Sequence, residues 1–432
     1  MGLRNRERDR SSGREKGAEG ASRADVLRRL RATPDIFARI AEWKGAELAL
    51  QQCLRTEFPD EVVRGALSLV ELRVRGTAKF SRASQMWFDR VGLEQSTSEP
   101  VARHKAQRFH GSVWDYCAGI GGDTVMLADH CDVISVDRDP AACLCTRSNA
   151  EVYGVADRVT PLCADVESIA DRSGLLHIDP DRRPTGRAAD AERMRSGRRR
   201  SLRLEAGSPG LEFLSRLTEE FRGGAIKASP AANFGGKFPT AEIELVSLEG
   251  ECKEATIWFG ELAESGIWRA TVLPANVTIA GDPLEAVVPV SPLGRFLFDP
   301  DPALVRAGLI DLFAARSGLC RLDDEEEYLT ADQPVYSPFA RPFEVLASLS
   351  NNDREIRGYF RGSAVGQLEI KCRRIPVDAE AVRRKLPLSG DESAVLIFAR
   401  ISGRARALVC RRMPAPSAPP NEGAHERPTH AG

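Results

Sequence analysis

The chain of 432 residues is long enough for two domains of ordinary size. Its formal net charge of −1, from 61 Lys and Arg against 62 Asp and Glu, excludes the uniformly basic character of a general nucleic-acid binder. The ten cysteines form no CxxC pair and no Cys/His zinc spacing, so most are expected to be small core residues in a reduced, cytoplasmic protein without a metal site. The start of the chain holds no apolar leader, and no run of about 18 apolar residues suggests a membrane span.

Residues 1–22 are Arg, Glu, Gly and Ser with little to bury, which predicts a disordered tail. Residues 23–110 predict a helical region. Val26, Leu27 and Leu30, then Ile36, Phe37, Ile40 and Ala41, then Val62, Val63, Ala66, Leu67 and Val70 recur at helical spacing. Ser22 or Asp25 caps the first helix, and Pro34 and Pro59 mark turns.

Over 111–288 the pattern changes to short apolar runs: Val113–Tyr116, Val133–Val136, Val159–Cys163, Leu175–Ile178, Ala225–Ala228, Ile243–Leu248 and Arg269–Leu273. Several are followed by helix-like segments, and this alternation predicts an α/β domain with a parallel, doubly wound sheet. Gly207–Gly210 and Ser229–Pro239 are expected loops, and Pro289–Pro292 a linker. A second, α+β domain is expected over 289–413. It has helices at Ala303–Ala315 and Ala379–Leu386, a strand at Gln367–Cys372, and a hairpin of Ala394–Ile401 and Ala405–Cys410 around Gly403. Residues 414–432 are Pro-rich and polar, a second expected disordered tail.

The chemistry concentrates in the first four strands. Val113-Trp-Asp-Tyr-Cys-Ala-Gly-Ile-Gly-Gly-Asp-Thr124 reads as a strand, a Gly-rich turn and a helix opening near Asp123. Glycines there let the backbone approach a ligand closely. The order D-x-x-x-G-x-G-G is not the dinucleotide fingerprint G-x-G-x-x-G. Asp115, Asp137, Asp165 and Asp179 each stand at the end of one of these strands, where α/β sheets bind ligands. Asp137 suits the two hydroxyls of a ribose, and Asp165 suits an adenine amino group with Val166 packed on the ring. The alternative is that these aspartates are helix N-caps. Asp123 and Thr124 fit either role.

These residues resemble the class I methyltransferases, and among them the RNA cap guanine-N2 methyltransferases (the trimethylguanosine synthase family). That likeness runs through Lys79-Phe-Ser-Arg82, Ser96–His104 and Asn149–Asp157. The whole chain resembles more closely a bacterial group of methyltransferases with a C-terminal THUMP-like domain. Ile178-Asp-Pro-Asp-Arg-Arg183 falls at that group's motif IV, and Glu251–Glu254, Glu369–Leu386, Val395–Arg400 and Leu408–Arg412 also match. The resemblance implies a Rossmann-like catalytic domain over 111–288 and a THUMP-like domain over 289–413. It implies S-adenosylmethionine as cofactor and RNA (tRNA or rRNA) as substrate. The cofactor set is then Asp115, Cys117, Gly119, Gly121, Gly122, Asp123, Thr124, Asp137, Asp165 and Val166, and the catalytic set Asp179, Pro180, Asp181 and Arg182.

Methyltransferases acting on exocyclic base amines commonly carry [N/D/S]-P-P-[aromatic] at this place. Asp179 and Pro180 keep the first half, whereas Asp181 and Arg182 replace the second proline and the aromatic. Arg182 is expected to stack on a base or bind phosphate. Asp179 and Asp181 capping the next element is the structural alternative. Cysteine attack on a pyrimidine, through Cys117 or Cys163, is a further option set against simple core packing. Beyond motif IV, Arg183, Arg187, Arg193, Arg195, Arg198, Arg199, Arg200 and Arg203 form a cluster suited to an RNA backbone, or a solvated charged loop. Lys371, Arg373, Arg374, Arg383, Arg384 and Lys385 add a second basic stretch. Lys227-Ala-Ser-Pro230 is a loop that either faces the acceptor or simply turns. A small-molecule or protein substrate, and a non-catalytic RNA-binding role with retained cofactor, are the competing readings.

Overall fold

The computed structural model describes residues 22–181, 204 and 207–414. The chain opens with helices α1 (Arg23–Ala32), α2 (Asp35–Glu42), α3 (Glu47–Arg55), α4 (Asp60–Gly76), α5 (Arg90–Gln95) and α6 (Glu99–Ala106). There follow β1 (Ser112–Tyr116), α7 (Thr124–Leu127), β2 (Asp132–Asp137), α8 (Pro140–Tyr153), β3 (Val159–Cys163), β4 (Leu175–Ile178) and α9 (Leu211–Glu220). Next come β5 (Gly223–Ala228), β6 (Glu242–Leu248), β7 (Glu251–Gly260), β8 (Trp268–Leu273) and β9 (Val277–Gly281). The C-terminal part holds β10 (Phe296–Pro300), α10 (Pro302–Arg306), α11 (Ile310–Ser317), β11 (Cys320–Arg321), β12 (Leu329–Ala331), β13 (Ala340–Ser350), α12 (Asp353–Arg361), β14 (Val365–Cys372), α13 (Ala379–Lys385), β15 (Glu392–Ile401) and β16 (Arg404–Arg412). Among the described residues no helix is long and apolar enough to cross a membrane. Contacts divide the chain into two units, residues up to Glu99 with Cys117–Ile169, and Pro100–Tyr116 with the chain from Ala170 onward.

In the first unit Ser22, not Asp25, caps α1: its hydroxyl accepts from the Asp25 backbone N–H at 3.2 Å. Leu30, Ile36, Leu50, Leu54, Val62, Val63 and Ala66 close a helical core. Each large apolar side chain so buried contributes about 1.5–3 kcal/mol. A second core joins Leu69, Leu72, Phe80, Met86 and Phe88 to Ile120 and Cys145. Helix α8 is capped by Asp139, starts on Pro140 and stops at the left-handed Gly154. Strands β2 and β3 are parallel, from Val133 opposite Val159 to Asp137 opposite Cys163.

In the second unit the strand order β1-β4-β5-β7-β6-β8-β9 departs from the purely parallel expectation. Strands β1, β4 and β5 are parallel, but β7 runs antiparallel to both β5 and β6. The sequence reading missed β7, whose residues Glu251–Glu254 and Thr256 lack an apolar signature. Of these Glu254 and Thr256 are buried, and the burial of Glu254 depends on a partner outside the strand. One face of this sheet carries Asp115, His177, Trp258 and Glu242 in one row, and Lys227, Thr256 and Glu244 in the next. Segment 104–109 covers it. Lys105 pairs with Glu254 at 2.7 Å, His104 with Glu244 at 2.8 Å and Arg108 with Glu242 at 2.6 Å. Phe109 packs against the rings of His177 and Trp258. Burial by itself raises the Glu244 carboxyl. The hydrogen bond and charge of His104, the Thr271 hydroxyl and the charge of Arg108 outweigh it, and hold the group at about 2.

The remaining strands form a sheet of order β11-β12-β10-β13-β16-β15-β14, with β14 parallel to β15. The expected hairpin is present: β15 and β16 turn through Ser402 and Gly403, both at positive φ. The expected helix Ala303–Ala315 is two helices, α10 and α11, separated by Gly308 at φ +73°. The expectation that most cysteines are core residues needs correction. Cys131, Cys145 and Cys410 are buried, whereas Cys163 and Cys372 are exposed and the other five half-buried.

Lys105 and Glu254 are each 3% exposed in the side chain. Removing one partner of such a pair leaves a buried charge uncompensated, so Lys105→Met should lose about 3–5 kcal/mol in urea unfolding. The double variant Lys105→Met/Glu254→Leu should recover most of that loss. A single variant as stable as the parent would show that the pair does not hold α6 on the sheet.

Candidate active site

In the first unit the Gly-rich turn follows β1 directly in the chain. Cys117, Gly119 and Gly121 all have positive φ, at 59°, 57° and 80°. Left-handed geometry strains a residue with a Cβ, so Cys117 is a strained position next to two unstrained glycines. A Cβ at Gly119 would meet no atom within 4 Å, whereas one at Gly121 would stand 3.1 Å from the Thr146 Cα on α8. Gly122 has ordinary φ, and its Cβ position lies against Phe80, Ser96 and Thr97 at 3.4–3.5 Å. The turn is pinned from behind by Asn149, fully buried on α8. Its side-chain amide donates to the backbone carbonyls of Ile120 (2.8 Å) and Trp87 (3.0 Å) and accepts from the Trp87 N–H (2.7 Å). The Thr146 hydroxyl donates to the Gly119 carbonyl at 2.9 Å.

Asp137, at the end of β2, accepts the Gly119 N–H on one oxygen and the Asp139 N–H on the other, both at 2.9 Å. Burial raises its carboxyl above the usual range, and the two backbone N–H groups oppose that shift without cancelling it. The Asp137 carbonyl accepts the Ala164 N–H at 3.1 Å, which ties the end of β3 to the end of β2. Of the four strand-end aspartates Asp165 is a cap: it accepts the Glu167 N–H at 3.0 Å and starts a short 3₁₀ turn, Val166–Ser168. Val166 is buried beneath it. Asp123 precedes α7 but makes no cap hydrogen bond; it accepts the Thr97 hydroxyl at 2.6 Å, and Thr124 is fully buried.

In the second unit Asp115 is fully buried and bonds His177 Nδ1 at 2.7 Å. It is the fourth of five residues in β1, not the last. The Asp179 N–H donates to the Tyr116 carbonyl at 3.2 Å, and Asp179 Oδ2 lies 2.5 Å from Lys227 Nζ. Lys227 belongs to β5, as the expected strand Ala225–Ala228 has it, so the loop begins after Ala228; its side chain is 4% exposed, against 24% for Asp179. Among the described residues Asp179 Oδ1 has no hydrogen-bond partner. Pro180 is buried, and Asp181 forms a two-bond backbone bridge with Ser208.

Arg182, Arg183, Arg187, Arg193, Arg195, Arg198, Arg199, Arg200 and Arg203 lie outside the described residues. The second basic stretch is largely neutralised. Lys371 and Arg373 pair with Asp299, Arg373 and Arg374 with Glu327, Arg383 with Glu380 and Lys385 with Asp353. Cys163 is exposed, which removes the core-packing explanation for it; Cys117 is half-buried. Sequence reasoning missed Asn149 as the clamp and His177 as the partner of Asp115. The first lay inside a motif already singled out, while the second carried no signal beyond two residues' distance from Asp179.

A model of the RNA cap guanine-N2 methyltransferases matches residues 110–186, and a THUMP domain-like model matches residues 340–412. Uncharacterized S-adenosylmethionine-dependent methyltransferases from two strains of Mycobacterium tuberculosis are 34% identical over 341 residues, 76% of this chain and 89% of theirs. The chain belongs to this S-adenosylmethionine-dependent methyltransferase family. The trimethylguanosine synthase of Schizosaccharomyces pombe is 33% identical over 94 residues, 20% of this chain and 39% of that protein. The crystal structure of a Porphyromonas gingivalis W83 protein provisionally assigned as a methyltransferase superposes with a TM-score of 0.69. At 17% identity, over 90% of this chain and 98% of that one, it shows a shared fold. The methyltransferase uses S-adenosylmethionine, and the turn suits that ligand: Gly119 leaves backbone uncovered beside the half-buried Asp137 carboxylate.

The two positive-φ glycines should separate on substitution. Gly121→Ala combines left-handed strain of about 1–2 kcal/mol with a clash against α8, so it should lower thermal stability. Gly119→Ala carries the strain alone, and should weaken S-adenosylmethionine binding in calorimetry more than it weakens the fold. Gly122→Ala should be close to neutral in stability. Equal stability losses in all three would remove the distinction.

Proposed function

We propose that this methyltransferase modifies a base in RNA, tRNA or rRNA, in the cytoplasm. The observation that carries the reading is the end of β4. Asp179 offers one carboxylate oxygen that is unpartnered among the described residues, at a partly exposed position, and the sequence then runs straight into the arginine-rich segment 182–203. The two matching family descriptions, an RNA cap methyltransferase and a THUMP-like domain, support the same substrate class. Residues 111–288 are the catalytic domain and 289–413 the RNA-holding domain in this reading, between the tails 1–22 and 414–432 and after the helical region 23–110.

S-adenosylmethionine, when bound, supplies a methyl group activated on a sulfonium. The chain's part is to bind, orient and exclude water. Asp115, Cys117 and the backbone of Gly119, Gly121 and Gly122 line the methionine end, with Asp123 and Thr124 supporting the turn. Asp137 accepts from the ribose hydroxyls, and Asp165 and Val166 meet the adenine. Asp179 accepts a hydrogen of the acceptor amine, with Pro180 and Asp181 fixing its backbone. Arg182 contacts the base or its phosphate. Arg183, Arg187, Arg198, Arg199 and Arg200 take RNA phosphates. Because the C-terminal basic residues are mostly paired, the salt dependence of RNA binding should fall mainly on segment 182–203.

Binding of S-adenosylmethionine should weaken as pH falls through the raised value of Asp137, because a protonated carboxyl loses the acceptor that the ribose needs. The effect on folding has the opposite sign. A carboxyl raised in the folded state adds stability below its unfolded value, and that stability is lost as pH rises through the folded value. Asp137→Asn should cost about 10–100-fold in affinity and flatten the binding profile. Unchanged affinity would remove Asp137 from the site.

The direct test is transfer of labelled methyl from S-adenosylmethionine to total RNA from a strain lacking the protein, followed by nucleoside mass spectrometry. One new methylated base is expected. Asp179→Ala should reduce transfer by about 10²–10³-fold while leaving cofactor affinity intact. Label found only in protein or small molecules would sink the RNA reading.

A further inference from the structure

We propose that Lys227 is a positioning residue for methyl transfer: it locks one oxygen of Asp179 so that the other meets the acceptor. Lys227 stands on β5 opposite Thr256 of β7, on the polar face of the sheet. The glutamates of that face have basic side chains from elsewhere as partners. Glu254 has Lys105, Glu244 has His104, and Glu242 has Arg108 and Arg269. Lys227 instead reaches along the face to Asp179, at 2.5 Å from Oδ2.

The exposures decide what the pair does. An ion pair made only for solubility would have both partners in water, and one made only for the core would have both buried. Here the ammonium side chain is 4% exposed and the carboxylate 24%. The cation is sunk in the sheet and the carboxylate stands at its edge. The Asp179 backbone is fixed as well, through its N–H to the Tyr116 carbonyl at 3.2 Å. With main chain and Oδ2 both held, the direction of Oδ1 is set before any acceptor arrives. That oxygen, unpartnered among the described residues, can accept a hydrogen from an acceptor N–H or O–H. A charge-assisted bond of this kind confers orientation as well as energy. An error of about 1 Å in the placement of a reacting group can cost 10²-fold in rate.

The inference rests on the assignment of Asp179 to the acceptor, so its test is built to fail separately from the RNA reading. Full-length protein, labelled S-adenosylmethionine and whole-cell extract from a strain lacking the protein are combined, with and without ribonuclease pretreatment. Lys227→Met should lower kcat by about 10²-fold, with KM and calorimetric Kd for S-adenosylmethionine unchanged within about twofold. Lys227→Arg, which keeps the charge, should recover part of the loss and serves if the Met variant does not fold. The double variant Lys227→Met/Asp179→Asn should be no slower than Asp179→Asn alone, because the two residues act as one unit. A merely structural lysine would instead give multiplying losses and a weakened cofactor Kd. Multiplying losses, or a Met variant as fast as the parent, would overturn the proposal. Incorporation that resists ribonuclease would overturn the RNA reading while leaving the Lys227 comparison intact. No incorporation by the parent protein in either arm would overturn both.

Discussion

The sheet of the second unit carries glutamates on a face that is buried, and the structure depends on neutralising them. Glu242, Glu244 and Glu254 are each at most 2% exposed. An ionised carboxylate cannot remain in such a place unless a cation and further donors meet it. Lys105, His104 and Arg108 do so from one short segment, and Thr271 and Trp258 add donors to Glu244. The requirement fixes where α6 lies on the sheet and allows β7, which carries Glu254 and Thr256 beside its apolar Ala255, Ile257, Trp258 and Phe259, to occupy an interior position. On the same face Lys227 has Asp179, at the end of β4, as a partner.

A second constraint governs the Gly-rich turn. Positive φ at Cys117, Gly119 and Gly121 is a conformation that local preference alone would not hold at a cysteine. The Asn149 amide holds it by bonding both the Ile120 carbonyl and the Trp87 backbone, while Thr146 holds the Gly119 carbonyl. Because α8 supplies both side chains, the start of the Gly-rich turn and the helix after β2 are held together. Asp137 then bonds Gly119 directly, so the residue suited to the ribose and the turn suited to the methionine end are positioned together.

The buried pairs differ in what they contribute. Replacing a well-matched buried ion pair by apolar residues is often neutral for stability, so Lys105 and Glu254 are better understood as fixing which face of α6 meets the sheet. The Asp115 and His177 pair does the same for β1 against β4, directly across the register. Asp179 and Lys227 differ because the carboxylate reaches solvent, which is where chemistry can use it.

Much of the fold was legible in the sequence because apolar periodicity is a local signal. β3 and β4 matched their expected ends, and the C-terminal hairpin turned at the glycine that its geometry requires. The cofactor was legible only through the resemblance that the Gly-rich turn and the motif around Asp179 carry; the spacing of glycines and strand-end aspartates by itself pointed to a ligand at the strand ends. Not legible was anything whose stability comes from a distant partner. The first half of β7, Glu251–Glu254, reads as polar until Lys105 is set against it, the direction of Lys227 is open until Asp179 is beside it, and the C-terminal basic stretch reads as available charge until Asp299 and Glu327 pair with Lys371, Arg373 and Arg374. The sequence by itself determined the α/β fold class and a ligand-binding turn, since both follow from neighbours along the chain, and the resemblance that its motifs carry implied the cofactor. Tertiary structure decided which charges are spent within the protein and which remain for a substrate, because a charge's availability depends on what folds against it.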